Sequence, residues 1–236
     1  MPRILALDTS SDACSVALQE AERTVGRFEM AAKSHTQRLL PMVDEVLAEA
    51  GWSLSSLDAV AFGRGPGSFT GLRIGLGVVQ GLAFARDLPV VGVSTLDAMA
   101  LGYYKTHPSF EGQPVLAAMD ARMQEVYWTL VSWTGEPDWL HRLENEAVSP
   151  PEEVAGHGAV QALGSEFVAI GPGWHYPELN ALTPAHRDLD VYPNALHMLP
   201  LAERALANGE AVAAEQAQPV YLRDTISWKK RQRIRS

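Results

Sequence analysis

A strand–aspartate–turn–strand pattern occurs twice in the 236-residue chain, and it constrains the fold more than any other feature. The apolar run Ile4–Asp8 ends in aspartate and is followed by a tight turn and a second apolar run at residues 14–19. The same order returns at residues 115–120 and 125–131. Turns this short join antiparallel strands into hairpins. The recurrence indicates two related lobes that arose by duplication.

Strands and helices alternate around these hairpins. Further strands are predicted at residues 24–28, 58–62, 90–93 and 167–170. Helices are predicted at residues 35–50, opened by a capping box of Ser34 and Gln37, at residues 68–86, from Ser94 onward, and at residues 194–207. This order predicts a mixed sheet with packed helices in each lobe.

The lobe boundary is predicted where glycine, proline and tyrosine cluster, at residues 102–114. Residues 1–102 then form the N-terminal lobe and residues 103–236 the C-terminal lobe. We expect the last helix and the basic tail of the second lobe to pack back on the first.

Composition excludes several classes of protein. The chain is 47% hydrophobic and 20% charged, which is ordinary for a folded protein. No stretch approaches the ~20 apolar residues that span a bilayer, and the first residues lack the regions of a signal peptide. The single cysteine, Cys14, excludes an intrachain disulfide and favours a reducing compartment. We therefore expect a cytoplasmic protein without membrane association.

Charge is distributed unevenly along the chain, whose net charge is −9. Five of the last eight residues are basic: Lys229, Lys230, Arg231, Arg233 and Arg235. The rest of the chain carries 14 basic residues against 28 acidic ones. A basic tail on an acidic body is either a solvated end or an arm that contacts a polyanion.

Metal ligands and nucleophiles are not evident in the sequence. No two of the seven histidines are spaced for joint ligation on one helix turn, and a Cys/His site needs more than one cysteine. No Gly-x-Ser-x-Gly elbow is present. Ser68 is interpreted as a helix N-cap and Cys14 as a buried strand residue.

Two loops have features of phosphate-binding sites. Residues 63–68 join a strand to a helix, so free N–H groups and the helix dipole face the loop. The turn at residues 8–12 is rich in hydroxyls and resembles the phosphate hairpin of the actin-like ATPase fold. Its two aspartates, however, repel phosphate unless a metal lies between them. Turn chemistry alone also explains both loops.

The helix after Ser68 is unusually rich in glycine. Each interior glycine costs up to ~1 kcal/mol relative to alanine, a loss that close approach of another backbone explains. Gly71 and Gly75 lie on one face, and a stripe of Gly77, Gly81 and Ala85 lies on a second. We expect one face to pack on the sheet and the other on a partner helix; packing within the monomer alone is the alternative.

Several segments resemble the TsaB (YeaZ) family, and together they cover nearly the whole chain. The most specific is the run Gly-Arg-Gly-Pro-Gly-Ser-Phe-Thr-Gly-Leu-Arg-Ile-Gly at residues 63–75; the others lie at residues 4–10, 93–98, 120–123 and 219–223. The resemblance implies an α/β, actin-like ATPase (ASKHA) two-lobed fold. It also implies a role in forming threonylcarbamoyladenosine next to the tRNA anticodon.

The resemblance further implies a non-catalytic scaffold and activator. In that family the direct partner is the transferase TsaD, and the protein forms a homodimer when it is alone. Two further proteins, TsaE and TsaC, complete the pathway. The counterpart segment of TsaD carries His-His-x-x-x-His, which holds the catalytic metal. Here Thr95 and Met99 stand where ligand histidines would be. We therefore expect no metal, no cofactor beyond weak ATP or ADP binding, and tRNA contact only through the complex.

Three groups of candidate site residues follow, with no catalytic residue among them. The partner interface, on helices that pair with the same helices of TsaD or of a second copy, comprises Leu39, Leu40, Val43, Leu47, Arg73, Gly77, Gly81 and Ala85. The candidate nucleotide cleft comprises Asp8, Ser10, Ser11, Asp120, Gly171 and Gly173. The candidate tRNA contacts are Lys229, Lys230, Arg231 and Arg233.

Two enzyme functions are the alternatives. An actin-like fold ATPase or sugar kinase would act with Asp8 and Asp120 at the cleft. The acidic body and the absence of a basic residue in the Asp8 hairpin count against it. A glycoprotease ranks last, because the sequence has neither its metal ligands nor a catalytic triad.

Overall fold

The computed structural model describes residues 2–21, 23–135 and 139–223, so the predicted tRNA contacts in the basic tail lie outside the described residues. The strands are β1 (Ile4–Asp8), β2 (Ala13–Glu20), β3 (Arg23–Met30), β4 (Ala59–Gly65), β5 (Val90–Ser94), β6 (Val115–Arg122), β7 (Glu125–Trp133), β8 (Leu140–Ser149), β9 (Val168–Ile170) and β10 (His186–Asp188). The helices are α1 (His35–Ala50), α2 (Phe69–Phe84), α3 (Thr95–Thr106), α4 (Pro151–Gly156), α5 (Gly158–Gln161) and α6 (Ala195–Ala207).

The strands form two five-stranded mixed sheets with the same internal order. The first sheet runs β3-β2-β1-β4-β5 and the second runs β8-β7-β6-β9-β10. In each, the first three strands are antiparallel and the last two add in parallel. The predicted α/β fold of two mixed sheets with packed helices is therefore confirmed. The equivalent strand orders agree with a duplication.

Helices cover both faces of the first sheet. Along β1 the side chains alternate, and every residue of the strand is buried. Leu5 and Leu7 face the cluster that contains α1 and α2. Ile4 and Ala6 face the opposite cluster, where small alanines of the central strands let α6 approach closely.

The two lobes exchange their final helices. Helix α3 follows the last strand of the first sheet, but its Leu96, Met99 and Tyr103 pack in the cluster of the second sheet. Helix α6 follows the last strand of the second sheet, but its Met198 and Leu199 pack on the first. Helix α3 continues to Thr106, so the stretch at residues 102–114 where the lobe boundary is predicted begins inside this helix.

Side-chain caps set the start of α2 and α3. Ser68 Oγ accepts a hydrogen bond from Gly71 N at 3.3 Å, which confirms the predicted cap of α2. Ser94 Oγ caps α3 in the same way through Asp97 N at 3.1 Å. The capping box predicted at Ser34 is wrong, because Ser34 Oγ instead donates to the carbonyl of Ala31 at 3.0 Å.

Strand β8 was not predicted from the sequence. Its residues are mostly polar and partly exposed, so they lack the apolar alternation that identifies a strand. The strand forms because its backbone pairs with β7 in antiparallel register, and the local sequence pattern does not reveal such pairing.

The first half of α2 lies directly on the β1–β2 turn. A Cβ on Gly71 would lie 2.0 Å from the carbonyl oxygen of Thr9, and one on Gly75 would lie 2.6 Å from Thr9 Oγ1. The Thr9 hydroxyl also donates to the carbonyl of Gly71 at 2.8 Å. These two glycines are therefore required inside the molecule.

We predict opposite effects on stability for two alanine substitutions in α2. Gly71→Ala should destabilise the protein by about 1–3 kcal/mol, because its methyl group overlaps the Thr9 backbone. Gly77→Ala should stabilise it by up to ~1 kcal/mol, because that position is open and alanine is the better helix former. Urea unfolding of both variants measures the difference. Equal effects would contradict this assignment of the two faces.

Candidate functional site

The outer face of α2 presents a stripe with little side-chain cover. Arg73, Gly77, Gly81 and Ala85 are all exposed at intervals of four residues. A Cβ on either Gly77 or Gly81 would meet no atom within 4 Å. Phe84, beside the stripe, is 78% exposed. The surface therefore allows close approach of another backbone and offers an aromatic contact at one end.

Most of the residues predicted for the interface on the neighbouring helix α1 are buried. Leu39, Val43 and Leu47 are buried in the core of the first lobe, so they cannot contact a partner. The apolar stripe of an amphipathic helix faces the protein interior. The prediction that this stripe of α1 faces a partner is therefore wrong for these three residues. Of the four predicted α1 residues, Leu40 is the exposed one, at 48%.

An aromatic cluster that the sequence analysis missed lies at the N-terminal end of the stripe. The guanidinium of Arg73 lies 3.8 Å from the centroid of the Phe69 ring. Arg73 Nε also donates to the hydroxyl of Tyr221 at 3.2 Å, and the two aromatic rings are 5.4 Å apart. Phe69 and Tyr221 are half exposed. The cluster thus extends the surface of α2 onto the C-terminal segment.

A cleft of about 380 Å³ lies between the lobes. The first lobe contributes the turn that holds Ser10 and Ser11 and the start of α2. The second lobe contributes Asp120 and its neighbours on β6, together with Tyr127. Three of the six residues predicted for a nucleotide cleft therefore line it.

Asp8 lies below the cleft and does not line it. Its Oδ1 accepts hydrogen bonds from Ser10 N at 3.1 Å and Ser10 Oγ at 2.9 Å, while Oδ2 is buried without a partner among the described residues. Burial raises the pKa of Asp8 to about 7, against the lowering effect of the Ser10 hydrogen bonds. A Cβ on Gly63 would lie 1.9 Å from Oδ2, so this glycine accommodates the carboxylate.

The two other predicted cleft residues serve packing instead. A Cβ on Gly171 would lie 2.4 Å from the carbonyl oxygen of Ala118, and one on Gly173 would lie 2.7 Å from the carbonyl carbon of Ala118. Both glycines therefore allow their loop to lie against β6. Neither lines the cleft, whereas their neighbours Pro172 and His175 do.

Two backbone donors at the loop before α2 already have partners inside the protein. Ser68 N donates to the carbonyl oxygen of Ser10 at 2.7 Å, and Gly71 N is bonded to the Ser68 side chain. Gly67 allows the close approach to Ser10, since its Cβ would lie 2.4 Å from that same oxygen. Turn and cap chemistry account for these contacts.

The C-terminal segment crosses from one lobe to the other at the cleft. Val220 N donates to the carbonyl of Arg64 in the first lobe at 2.7 Å. Arg223 donates to the carbonyls of Ala121 and Arg122 in the second lobe, at 3.2 and 3.3 Å, and pairs with Glu125. The resemblance at residues 219–223 was the sequence signal for this segment.

Ion pairs also join the lobes on the side of β8. Arg64 Nη2 lies 3.0 Å from Glu146 Oε2, and Arg142 Nη2 lies 2.5 Å from Asp97 Oδ2. Burial raises the pKa of Asp97 to about 6, partly offset by the charge of Arg142. With the C-terminal segment, these pairs fix the relative position of the lobes.

The positions aligned with metal ligands hold buried side chains. Thr95 is fully buried and donates to the carbonyl of Pro66 at 2.6 Å, and Met99 is 1% exposed in the second-lobe core. Across residues 2–21, 23–135 and 139–223, no group of three His, Cys, Asp or Glu side chains could hold a metal ion. Cys14 is buried, as predicted, and burial is the main cause that raises its pKa to about 12.

Within the same described part of the chain, every helix is too short or too polar to cross a bilayer. The two lobes, each a mixed sheet of the same strand order, define a two-lobed α/β protein. The family profile "TsaD: tRNA N6-adenosine threonylcarbamoyltransferase" matches residues 28–226, which are most of the chain.

Similar proteins narrow this class. The chain is 47% identical to the tRNA threonylcarbamoyladenosine biosynthesis protein TsaB of Escherichia coli over 231 residues, which are 97% of each chain. It is 42% identical to TsaB of Haemophilus influenzae over 96% of each chain. The structure of YeaZ from Pseudomonas aeruginosa has a TM-score of 0.84 at 46% identity, covering 94% of this chain and all of that one. The chain belongs to the TsaB (YeaZ) family of tRNA threonylcarbamoyladenosine biosynthesis proteins, as the sequence motifs predicted.

We predict that Asp8 makes the protein less stable as pH rises. Because its pKa is raised in the folded state, folding is favoured while the carboxyl is protonated, and the stability is lost between about pH 4 and pH 7. Across this window the free energy of unfolding of the wild type should fall by roughly 4 kcal/mol at most, compared with that of Asp8→Asn. Urea unfolding as a function of pH measures both curves.

The control for this prediction is Asp12→Asn, which removes an exposed carboxylate of the same turn. Its curve should run nearly parallel to that of the wild type. If the free energies of unfolding of the wild type and Asp8→Asn differ by the same amount from about pH 4 to pH 7, Asp8 is charged throughout that range and the prediction is wrong.

Proposed function

We propose that this protein is a non-catalytic scaffold and activator subunit of the complex that forms threonylcarbamoyladenosine in tRNA next to the anticodon. It binds the transferase TsaD directly through the outer faces of α1 and α2. The observation that carries the proposal is the exposed glycine stripe of α2, whose glycines have no function inside the protein.

The energetics of the glycines support an external contact. Gly71 and Gly75 are explained by Thr9, which leaves no room for a Cβ. Gly77 and Gly81 face open space, yet each costs up to ~1 kcal/mol relative to alanine. A partner helix whose backbone lies against the stripe would explain why these positions lack side chains. The stripe extends from Arg73 to Ala85.

A single surface of this kind serves two partners. Two copies of the chain pair by two-fold symmetry through the same patch, and TsaD, which is similar in fold, replaces one copy. Homodimer and heterodimer therefore compete, and the homodimer forms when TsaD is absent. TsaE joins the complex as a further partner, and tRNA binds to the complex rather than to this subunit alone.

The described residues also support a role without catalysis. Thr95 and Met99 occupy the positions of metal ligands and are fully engaged in the core. Of the carboxylates proposed for an ATPase or kinase, Asp120 lines the cleft but Asp8 does not. We propose that the protein holds no resident metal or cofactor, and that any ATP or ADP in the cleft binds weakly.

Substitution of Gly81 by leucine tests the interface. We expect Gly81→Leu to fold with near wild-type stability, because the position is open, and to weaken the complex with TsaD by about 2 kcal/mol or more. The matched control is Gly156→Leu, at an equally open glycine at the end of α4 in the second lobe. Melting temperature and calorimetric titration with TsaD measure the two properties.

Three outcomes would contradict the proposal. Normal binding of Gly81→Leu to TsaD would locate the interface elsewhere, and unfolding of the variant would show that the stripe serves the core. Transfer of threonylcarbamoyl by the isolated chain, free of TsaD, would refute the non-catalytic role.

The basic tail is proposed to add tRNA affinity to the assembled complex. The chain leaves the described part at Arg223, against the turn between β6 and β7. Clustered cations bind the phosphate backbone without reading sequence and release counterions, so affinity falls steeply with salt.

We expect deletion of residues 229–236 to flatten the salt dependence of tRNA binding by the complex. Each lost phosphate contact should reduce the slope of log K against log salt by roughly 0.7–0.9. Replacing the five tail cations with glutamine keeps the length of the chain and should have the same effect. An unchanged slope in both proteins would show that the tail does not contact tRNA.

A further inference from the structure

A second pocket, of about 210 Å³, shares Tyr192 with the cleft and has no residue of α2 in its lining. We call it the α3–α6 pocket. It is bounded by Gly102, Tyr103 and His107 of α3, by residues 188–194, by His197 of α6, and by Phe28 of the edge strand β3. Its volume is that of roughly seven water molecules.

Two carboxylates line the pocket, and Lys105 lies close enough to the pocket residue His197 for its charge to help lower the pKa of that imidazole. Asp188 and Asp190 are among its lining residues, whereas none of the described residues that line it is a lysine or an arginine. The backbone N–H of Asp190 donates to Asp188 Oδ1 at 3.0 Å, which orients that carboxylate. Burial is the main cause that lowers the pKa of His197, so its imidazole adds no positive charge at neutral pH.

A buried hydroxyl in the wall lacks a hydrogen-bond partner. Tyr103 is 2% exposed, and its hydroxyl makes no hydrogen bond within the described part of the chain. Burial first, and then the charge of Asp188, raise the pKa of Tyr103 to about 12. The hydroxyl is therefore neutral, close enough to Asp188 to sense its charge, and able to accept a hydrogen bond. Leaving such a group unsatisfied costs about 1–3 kcal/mol.

Three aromatic rings are also part of the lining. Phe28, Tyr103 and Tyr192 contribute ring faces or edges, and Phe28 is 44% exposed at the rim. Rings of this kind attract cations through their quadrupole and also cover alkyl groups. An anion would be repelled by the two aspartates, and a neutral ligand would leave their charges unused.

We propose that the α3–α6 pocket binds a compact organic cation, an alkylammonium or guanidinium group, with its charge against Asp188 and Asp190. One N–H of the cation donates to the hydroxyl of Tyr103, and its alkyl part lies on Phe28 and Tyr192. The cation is either a free amine or the end of a lysine or arginine side chain of another protein, which present the same chemistry. The proposal is independent of the TsaD interface.

Nuclear magnetic resonance of the histidine rings tests the proposal on the full-length protein at neutral pH and low salt. His107 and His197 line the pocket and report on binding. The probes are putrescine for a free amine, N-acetyl-lysine N-methylamide for a side chain, and 1,4-butanediol as the neutral control. We expect saturable shifts of both signals with one or both cations, reduced by added salt, and no comparable shifts with the diol.

Two variants separate specific binding from general attraction. Asp188→Asn with Asp190→Asn should lower the affinity about tenfold or more, because charged hydrogen bonds are lost. The matched control changes net charge equally at two exposed acids outside the pocket, Asp87→Asn with Glu166→Gln, and should bind like the wild type. Tyr103→Phe should raise the melting temperature of the free protein and weaken binding of the cation. This variant still tests the proposal if the double aspartate variant does not fold.

The outcomes separate the sources of the cation. Binding of putrescine alone identifies a free amine, and binding of the blocked lysine alone identifies a partner side chain. No shift with either cation would overturn the proposal. Equal shifts with the diol, or unchanged affinity in the aspartate and Tyr103→Phe variants, would overturn it as well.

Discussion

Each lobe of this protein depends on a helix that the other half of the sequence contributes. Helix α6 covers the alanine-lined face of the first sheet, and α3 covers the equivalent face of the second. Apolar sheet faces must be buried, so neither lobe has a complete core without the exchange. The exchanged helices also contact each other, and ion pairs such as Arg64–Glu146 reinforce the junction. The narrow cleft and the α3–α6 pocket both result from this arrangement.

Exchange of α6 also determines which surface is free for a partner. Since α6 occupies one face of the first sheet, α1 and α2 occupy the other, and their outer sides face solvent. On α2 the division is sharp: Gly71 lies on Thr9, while Gly77 lies on the opposite side in open space. Within one helix, glycine is therefore required by internal close packing at Gly71, whereas at Gly77 nothing inside the described part of the chain requires it.

Local sequence predicted the two hairpins, the helices α1, α2, α3 and α6, and the cap at Ser68, because each depends on neighbouring residues alone; it did not predict the short helices α4 and α5. The direction of the apolar face of α1 was assigned wrongly at Leu39 and Val43, although amphipathic periodicity contained the answer. The sequence analysis expected the last helix to pack back on the first lobe, but it did not predict that α3 covers the second sheet, because periodicity does not identify which sheet a helix covers. For the same reason Asp8 was placed in the cleft, whereas tertiary packing buries it beneath.

The helix exchange has a consequence for synthesis of the chain. When the first sheet is complete at Ser94, the face formed by residues such as Ala6 and Ala61 is still uncovered. Its covering helix begins at Ala195, about a hundred residues later on the ribosome. The nascent first lobe therefore exposes an apolar surface during most of translation. The first lobe, which carries the exposed stripe of α2, therefore completes its core only near the end of synthesis, when the chain is almost finished.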